Sequence, residues 1–417
     1  MNRSNNWIYG RSGEKGRRWR TLAGAAAICL LAACALLFGA KYILGDSWDT
    51  LIHRPKPETT TQAPASIEAT TVPIPKASSP QVKGLYVTAW SAGMEDRLAH
   101  YIELCDTTEI NALVIDVKDD RGQITFLNSI EGAAQASSGI IPDIEHMLAL
   151  LKAHGICAIA RLSCFKDPLW SRLHPELAIS NARGTPWKDA DGVTWLDPYK
   201  EASWAYLAAI AREAARLGFD EIQLDYVRFP TAGNLKDIDH GSAGNEKTKA
   251  EAIAGFLRHV RAALADTGAR LSVDIFGITA IHRGDYEDIG QDPAVLAGIA
   301  DCVCPMVYPS HFANKRQNGV GQIINETLFE APDLQPYDVV KITLLLLRNS
   351  LSAGAKSAGI RPWLQDFTAS YLGAGYFQEY TAEQVREQIQ AVYDAGFSEW
   401  ILWNASGIYS EEALLPE

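Results

Sequence analysis

An aspartate closes a predicted buried strand, at a point where its carboxyl group could act on a bound molecule. The run Phe219–Leu224 has the length and composition of such a strand, and Asp225 follows it directly. Because side chains alternate along a strand, Glu221, Gln223 and Asp225 share one face, and the aliphatic residues share the other. A polar inner face opposite an aliphatic outer face is typical of a barrel strand whose carboxyl end contributes to a site.

Two other predicted strands carry an acid in the same inward phase. Asp274 follows this pattern in Leu271–Gly277, and Asp116 follows it in residues 111–120. In a barrel, adjacent strand ends bring such residues within a few ångströms of each other. Two carboxyl groups in different surroundings can divide acid and base work between them. Asp225 and Asp274 therefore form the leading pair, with Asp116 as a third candidate.

Basic side chains accompany these acids. Lys118 shares the predicted inward phase of Asp116, and an ammonium group there would lower the pKa of that carboxyl, making it an orienting anion. Arg161 also faces inward and could pair with Asp116 or Asp225. Arg228, in the loop that follows Asp225, could hold the same carboxylate in its charged form.

Strand-like and helix-like segments alternate from residue 83 onward, which is typical of a (β/α)8 barrel. The predicted strands are Gly84–Trp90, Ala112–Lys118, Ile156–Ser163, Glu221–Asp225, Leu271–Phe276, Cys302–Tyr308, Ile360–Gln365 and Trp400–Trp403. Only a short tail follows the last strand, so an eighth outer helix is expected to be truncated or absent. A doubly wound open sheet is the alternative, disfavoured because no Gly-rich phosphate loop follows any strand.

The longest connections follow the third, fourth and sixth strands, on the face where barrel sites are built. They are rich in aromatic residues, among them Trp170, Trp187, Trp195, Tyr199 and Phe312. Aromatic rings stack on sugar rings, so one interpretation is a glycan cleft, and the other is that these rings pack the loops onto the barrel. The ends of the sixth, seventh and eighth strands complete the predicted rim with Tyr308, Asp366 and Asn404.

The sequence segment around Asp225 closely resembles the putative glycosyl hydrolase domain family, a group of (β/α)8 barrels from bacterial cell envelopes. The resemblance extends over most of residues 81–410. It includes the segments Asn111–Asp120, Leu271–Thr279, Asp301–Tyr308, Arg361–Phe367 and Glu399–Tyr409. It implies a glycoside hydrolase acting on an envelope or extracellular polysaccharide.

Glycoside cleavage usually needs two carboxyl groups, and the inward acids at the predicted strand ends are the candidates for them here. Asp225 is expected to be the nucleophile or base and Asp274 the general acid, with Asp116 as the other inward acid. The pair is expected to lie about 5–9.5 Å apart, with Asp274 the drier and more proton-retaining member. The predicted substrate-binding residues are Arg161, Lys118, Arg228, Tyr308, Asp366, Trp195 and Asn404.

Two other functions remain open at this point. The first is a non-catalytic barrel that has kept the fold and lost hydrolytic activity, and that acts as a glycan-binding or scaffold domain. A carbohydrate deacetylase would need a metal-ligand set that the sequence does not supply, and no cofactor is expected. The fourth strand also resembles that of the α-amylase superfamily, but Gln223 stands where those enzymes have an arginine, and Asp274 where they have a glutamate. These departures argue against transferring their retaining mechanism.

The first part of the chain has the pattern of a membrane anchor. Leu22–Leu44 is an apolar run interrupted only by Lys41 and is long enough to cross a bilayer. Six basic residues and one acid precede it, so the positive-inside rule predicts a cytoplasmic N-terminus and an extracytoplasmic barrel. A cleaved signal peptide and a lipoprotein modified at Cys34 are alternatives, both disfavoured because the apolar run continues past Cys34.

The predicted organisation is therefore a basic cytoplasmic tail, a transmembrane anchor, a linker, a barrel and a short tail. Their ranges are 1–20, 21–44, 45–80, 81–410 and 411–417. The linker is rich in Pro, Thr and Ala without apolar periodicity, which predicts a semi-extended, disordered tether.

Charge and cysteine content add two expectations. The formal net charge is −12, and because the first 20 residues carry +5, the remainder carries −17. Such a domain argues against nucleic acid as a partner and fits a neutral or cationic substrate. Five of the seven cysteines follow the linker, and we expect them to be small buried hydrophobic residues rather than bridges.

Overall fold

The computed structural model describes residues 81–351 and 358–416. The predicted cytoplasmic tail, transmembrane anchor and linker, residues 1–80, lie outside the described residues, as does Cys34. In residues 81–351 and 358–416, no helix is both long and apolar enough to cross a membrane.

Eight parallel strands form a closed barrel, which confirms the predicted fold class. They are β1 Lys83–Val87, β2 Ala112–Lys118, β3 Cys157–Ser163, β4 Glu221–Asp225, β5 Arg270–Phe276, β6 Cys302–Met306, β7 in two segments, Gly359–Ile360 and Trp363–Gln365, and β8 Trp400–Trp403. Each strand pairs with its neighbour in chain order, and β1 pairs with β8 to close the ring. The strand β7 is divided at Pro362, which has no N–H to donate to the ladder.

Helices follow seven of the strands on the outside of the barrel. They are α1 Glu95–Thr107, α2 Ile144–Ala153, α3 Glu201–Leu217, α4 Lys249–Ala263, α5 Pro293–Ala297, α6 Pro336–Leu351 and α7 Ala382–Asp394. Shorter helices lie at Ala89–Ala92, Pro168–Leu173, Ala243–Glu246, Gly277–Ala280 and Lys315–Asn318. Within residues 404–416, the segment after β8 forms a 3-10 turn at Glu411–Ala413 in place of an eighth outer helix.

The helix α3 positions the strand that carries Asp225. Its buried face includes Leu207, Ile210 and Ala214, and it ends at Gly218 in the left-handed conformation, with a φ of 115°. A β-carbon there would cost roughly 1–2 kcal/mol, because it would approach the following carbonyl oxygen. The glycine therefore lets the chain turn back into β4 within a few residues.

The barrel interior is filled by one face of each strand. Its apolar part comprises Val82, Tyr86, Ala112, Val114, Ile159, Cys302, Cys304, Tyr308, Trp363 and Ile401. The Sγ atoms of Cys302 and Cys304 lie 3.9 Å apart without a bond, and all five described cysteines are free thiols. Four of these five are buried, as expected for small apolar residues, and Cys157 is partly buried.

A compensated ion cluster forms the floor of the barrel, the end at which the strands begin. Both carboxylate oxygens of Glu221 accept from Arg361, at 2.7 Å from Nη1 and 3.3 Å from Nη2. The Nε of Arg361 donates to Glu399 at 2.8 Å. Burial raises the pKa of Glu221, but the charge and hydrogen bonds of Arg361, together with the charge of Arg270, outweigh burial and lower that pKa.

Most of the loop aromatics predicted to stack on sugars are buried instead. Trp170, Trp187 and Phe312 are no more than 6% exposed. Trp170 stacks on Tyr206 of α3, with ring centroids 4.0 Å apart. For these residues the loop-packing interpretation is correct, because the long loops need their own apolar contacts to lie against the barrel.

Candidate active site

Asp225 lies at the mouth of the barrel, the end at which the strands finish. Its Oδ1 accepts from the N–H of Tyr226 at 2.6 Å, and its Oδ2 accepts from Nε of Arg161 at 3.1 Å and from Nη2 of the same residue. Tyr226 holds a φ of 51°, a left-handed value that is uncommon for a residue other than glycine. Strained backbone of this kind is concentrated at functional sites. Both oxygens of Asp225 thus have fixed donors.

Arg161 on β3 connects two acids on the flanking strands. Its Nη1 donates to Oδ1 of Asp116 at 2.5 Å, while its other nitrogens donate to Asp225. The predicted pairing of Arg161 is therefore confirmed with both candidates at once. Arg161 is also the register partner of Gln223, so its guanidinium lies at the level that an arginine on β4 itself would occupy.

Asp116 has a second donor in Tyr86 of β1, whose hydroxyl lies 2.5 Å from Oδ2. Burial raises the pKa of Asp116, and the Arg161 charge and the Tyr86 hydrogen bond offset only part of that rise. The expectation that Lys118 would lower the pKa of Asp116 is wrong. The cation that binds this carboxyl is Arg161, and the pKa of Asp116 is raised.

A bulge in β2 explains the position of Lys118. Asp116 is the register partner of Arg161, but Lys118 is the partner of Leu162, so one residue is inserted between them and the phase changes. The Lys118 ammonium is fully buried and lies 2.6 Å from the Ser163 carbonyl oxygen and 3.0 Å from Oδ2 of Asp167. It therefore fixes the start of the β3 loop, away from the Asp116 carboxyl.

Asp274 on β5 is the most buried acid of the mouth. It is 1% exposed, against 5% for Asp225, and its Oδ1 accepts from Nε1 of Trp363 at 2.9 Å. Its Oδ2 has no hydrogen-bond partner among the described residues. Burial raises the pKa of Asp274 well above its usual range, and the nearby charge of Asp225 raises it further, against the Trp363 bond and Arg161.

The two leading acids lie side by side. Leu224 and Val273 are register partners, so Asp225 and Asp274 are the next residues of adjacent strands, whose backbones lie about 5 Å apart. Arg161 forms ion pairs with Asp116 and Asp225, whereas Asp274 has no ion pair among the described residues. Because like charges at this distance disfavour joint ionisation, one of the acids should retain a proton. Asp274, with the raised pKa and no ion pair, is that acid, as the sequence predicts.

Arg228 does not form the predicted ion pair with Asp225. Its guanidinium carbon lies 4.4 Å from the ring centre of Phe276, 5.0 Å from that of Trp195 and 5.5 Å from that of Tyr226. Trp195 is 3% exposed, and its Nε1 donates to Asp189 at 2.9 Å. Arg228 and Trp195, both predicted to bind substrate, therefore lie beside the acid cluster. The Trp195 ring packs against the Arg228 guanidinium.

The remaining predicted rim residues divide into two kinds. Tyr308 is inward and buried, with its ring centre 5.7 Å from that of Trp403. Asp366 accepts from the backbone N–H and the hydroxyl of Ser410, at 2.9 and 2.8 Å. Asn404 donates to the carbonyl oxygens of Asp366 and Ile408. Asp366 and Asn404 thus hold the loop after β8, whereas Tyr308 lines the mouth.

Sequence reasoning missed three residues of the mouth. Tyr86 and Trp363 each donate to an inward acid, and Trp403 stacks on Tyr86 with ring centres 6.2 Å apart. Their inward phase on β1, β7 and β8 was a usable signal, since aromatic residues with a polar atom usually find a partner when buried. Exposed aromatic rings also lie in the connections that follow β1, β5 and β7, at Trp90, Tyr286 and Tyr371.

In the described part of the chain, no group of three or more His, Cys, Asp or Glu side chains has an arrangement that could hold a metal ion.

Comparisons with known proteins agree with this architecture. A family model described as "Putative glycosyl hydrolase domain" matches residues 84–409. A hypothetical protein from Ruminiclostridium thermocellum is 42% identical, with 46% of this chain and 96% of that chain covered and a TM-score of 0.42. No curated protein matches.

Two solved glycoside hydrolase structures share the fold at low identity. The PgaB (BpsB) glycoside hydrolase domain from Bordetella bronchiseptica has a TM-score of 0.55 at 11% identity, covering 79% of this chain and 95% of that one. A beta-galactosidase from the psychrophilic Marinomonas ef1 has a TM-score of 0.51 at 10% identity, covering 77% and 53%. At these identities the likeness shows the barrel fold alone.

Proposed function

This chain belongs to the putative glycosyl hydrolase domain family, and we propose that it hydrolyses a glycosidic bond in an envelope or extracellular polysaccharide. The observation that carries the proposal is the asymmetry of two neighbouring acids at the mouth. Asp225 has fixed donors on both oxygens, whereas Asp274 is drier, has a raised pKa and keeps Oδ2 without a protein partner.

In the proposed reaction the two acids take different roles. Asp225 acts as the nucleophile or as the base that activates water, because Arg161 and the Tyr226 N–H hold its charge and its orientation. Asp274 retains its proton and donates it to the leaving oxygen. The proposal requires a carboxyl separation of about 5–9.5 Å, the range of glycosidase pairs. Since Asp274 is buried, the substrate must reach it between the inward aromatic side chains.

Asp116 takes a supporting role in this proposal. Its two oxygens accept from Arg161 and Tyr86, so it orients the guanidinium that holds Asp225. If Asp274→Asn retained activity and Asp116→Asn lost it, the general acid would be Asp116 instead.

We also propose that the barrel acts outside the cytoplasm, attached to the membrane by residues 21–44. The support is the apolar run with its preceding basic residues, followed by a linker long enough to hold the barrel off the bilayer. Fatty-acid labelling that depends on Cys34 would replace this single-pass anchor with a lipoprotein.

The activity is tested with the full-length chain, purified in detergent, against a panel of wall, capsular and exopolysaccharide glycans. We expect new reducing ends from at least one glycan with the wild-type chain, and none with Asp225→Asn. Glu103→Gln, an exposed acid on α1, is the control and should be fully active. A glycan that binds to the mouth and is never cleaved would favour the glycan-binding alternative.

A further inference from the structure

Arg228 is a buried cation with no carboxylate partner among the described residues. It is 7% exposed and surrounded by the rings of Phe276, Trp195 and Tyr226. Its one hydrogen bond in the described structure runs from Nη1 to the carbonyl oxygen of Phe229, at 2.9 Å. Its Nε and Nη2 atoms have no protein acceptor among the described residues, and a small part of the side chain remains exposed.

The two nearby acids are already occupied by other donors. Asp225 is bound by Arg161 and the Tyr226 N–H. Asp189 accepts from two backbone N–H groups of its own loop on Oδ1 and from Trp195 on Oδ2. Neither forms an ion pair with Arg228 in the described residues. The pKa of Arg228 falls to about 10 because burial is not balanced by a partner charge.

The other buried arginines of the barrel show what is missing. Arg161 contacts two carboxylates at the mouth, and Arg361 contacts two at the floor. An aromatic cage stabilises a cation by about 0.5–2 kcal/mol, less than a fully hydrogen-bonded ion pair in a desolvated site. Arg228 therefore resembles half of an ion pair, with the edge formed by Nε and Nη2 left free.

We propose that Arg228 is a subsite for a carboxylate on a sugar of the substrate, such as the carboxyl group of a uronic acid residue. The free edge presents two parallel N–H donors, which match the two oxygens of a planar carboxylate. This inference rests on the proposed function, because the subsite belongs to the same glycan cleft as Asp225. It narrows the substrate class to acidic glycans.

The positive charge of Arg228 is opposite to the net negative charge of the domain. The strongly acidic composition fits a neutral or cationic ligand, and the three acids of the mouth would repel an anionic sugar. Arg228 offsets that repulsion on the side of the mouth formed by β4 and β5. Selectivity for the acidic sugar should therefore depend on this one side chain.

The test compares binding of matched ligands to the full-length chain in detergent at low salt. The probes are oligomers of galacturonate, mannuronate and hyaluronan, each beside its carboxyl-reduced counterpart, which has the same backbone without the charge. For at least one pair we expect the acid form to bind about tenfold or more tightly, by isothermal titration calorimetry. Arg228→Gln should abolish the difference, and Arg212→Gln, which alters an exposed arginine paired with Asp266, should preserve it.

Three results would overturn the proposal: equal binding within every pair, no binding of any acid form, or selectivity that persists in Arg228→Gln. Should that variant fail to fold, Arg228→Lys decides. A lysine keeps the charge and loses the two-donor edge, so the acid preference should fall, and an unchanged preference would count against the subsite.

The outcomes separate this subsite from the proposed hydrolase activity. Cleavage of a neutral glycan that Arg228→Gln leaves unchanged would support the hydrolase and reject the acidic subsite. Acid-selective binding that depends on Arg228, without cleavage of any glycan, would support the subsite and reject the hydrolase.

Discussion

The floor and the mouth of this barrel are both buried charged clusters, but they differ in charge balance. At the floor, Arg361 satisfies Glu221 with two hydrogen bonds and also reaches Glu399, while Arg270 lies 3.8 Å from Glu221. Two acids thus meet two bases. At the mouth, three acids lie near Arg161, which pairs directly with two of them, Asp116 and Asp225.

The difference in balance leads to different protonation behaviour. Burial is outweighed at Glu221 by Arg361 and Arg270, which lower its pKa and so favour the charged carboxylate. The pKa of Asp274 is raised by burial and then by the charge of Asp225, so its surroundings favour the protonated carboxyl. A buried cluster whose acids and bases are equal in number keeps its charges paired. A cluster with excess acids has shifted pKa values, which suit acid–base chemistry.

The largest expected effect is on catalysis at the mouth. Asp225→Asn should lower hydrolysis by about a thousandfold or more, or ~4 kcal/mol of barrier at about 1.36 kcal/mol per tenfold. Its melting temperature should change by only a few degrees, since Arg161 keeps Asp116 as a partner. Initial rates and a thermal melt measure both. An unfolded variant would make Asp225 a structural partner of Arg161 and contradict the assignment.

The next effect is on stability at the floor. Arg361→Met should lower the free energy of unfolding by about 3–5 kcal/mol, because Glu221 would be buried without its main partner. Adding Glu221→Gln to this variant should restore part of the loss. Denaturant unfolding measures the series, with Arg212→Met as an exposed control expected below about 1 kcal/mol. If the single and double variants are equally unstable, the cluster is not a coupled unit.

The two clusters should respond to pH with opposite signs. Glu221 has a lowered folded pKa, so its contribution to stability is present above its unfolded pKa and is lost as pH falls through the folded value. Asp274 has a raised folded pKa, so its contribution is present below the unfolded pKa and is lost as pH rises through the folded value.

Melting temperatures across pH test this contrast in Asp274→Asn and Glu221→Gln. Relative to wild type, Asp274→Asn should gain stability as pH rises, by about 1.4 kcal/mol for each unit by which the pKa is raised. The stability of Glu221→Gln should be closest to that of wild type at acid pH. Parallel curves for the two variants would remove the distinction between the clusters.

Sequence periodicity was sufficient to predict that Asp225 and Asp274 face inward, because both lie in regular strands, Asp225 as the last residue and Asp274 two residues before the end. It failed for Lys118, since a bulge in β2 changes the phase within one residue and leaves no clear mark in the sequence. It also could not assign Asp366, whose partner Ser410 is set by the path of the loop after β8. The barrel itself was predictable because the alternation of strands and helices runs through most of the chain.

One departure from the α-amylase pattern has a structural counterpart. The arginine expected two residues before Asp225 is replaced by Gln223, yet Arg161 on the neighbouring strand reaches the same carboxylate. The sequence of β4 alone could not predict this role of Arg161, because Arg161 and Gln223 are brought together only by the register of β3 and β4.

The smallest expected effect concerns the hydrogen bond from Trp363 to Asp274. This bond favours the charged carboxyl, so Trp363→Phe should raise the pKa of Asp274 further, by less than about one unit for a bond of about 1 kcal/mol. The alkaline limb of the kcat/KM profile should move to higher pH by that amount. Trp170→Phe, whose ring packs against α3 instead, should leave the limb in place. A shift to lower pH would contradict the role of the bond.

The pairing of β1 with β8 has a consequence for the order of assembly. The Tyr409 hydroxyl reaches the carbonyl oxygen of Tyr86 across 323 positions of the chain, and the N–H of Trp400 bonds the carbonyl oxygen of Val82. Contacts of such long range slow folding, because the ring cannot close before its last strand is available. During synthesis, β2 to β5 emerge with their acids well before Trp363 and β8 do. The mouth therefore gains its final electrostatic character only when the C-terminal strands arrive.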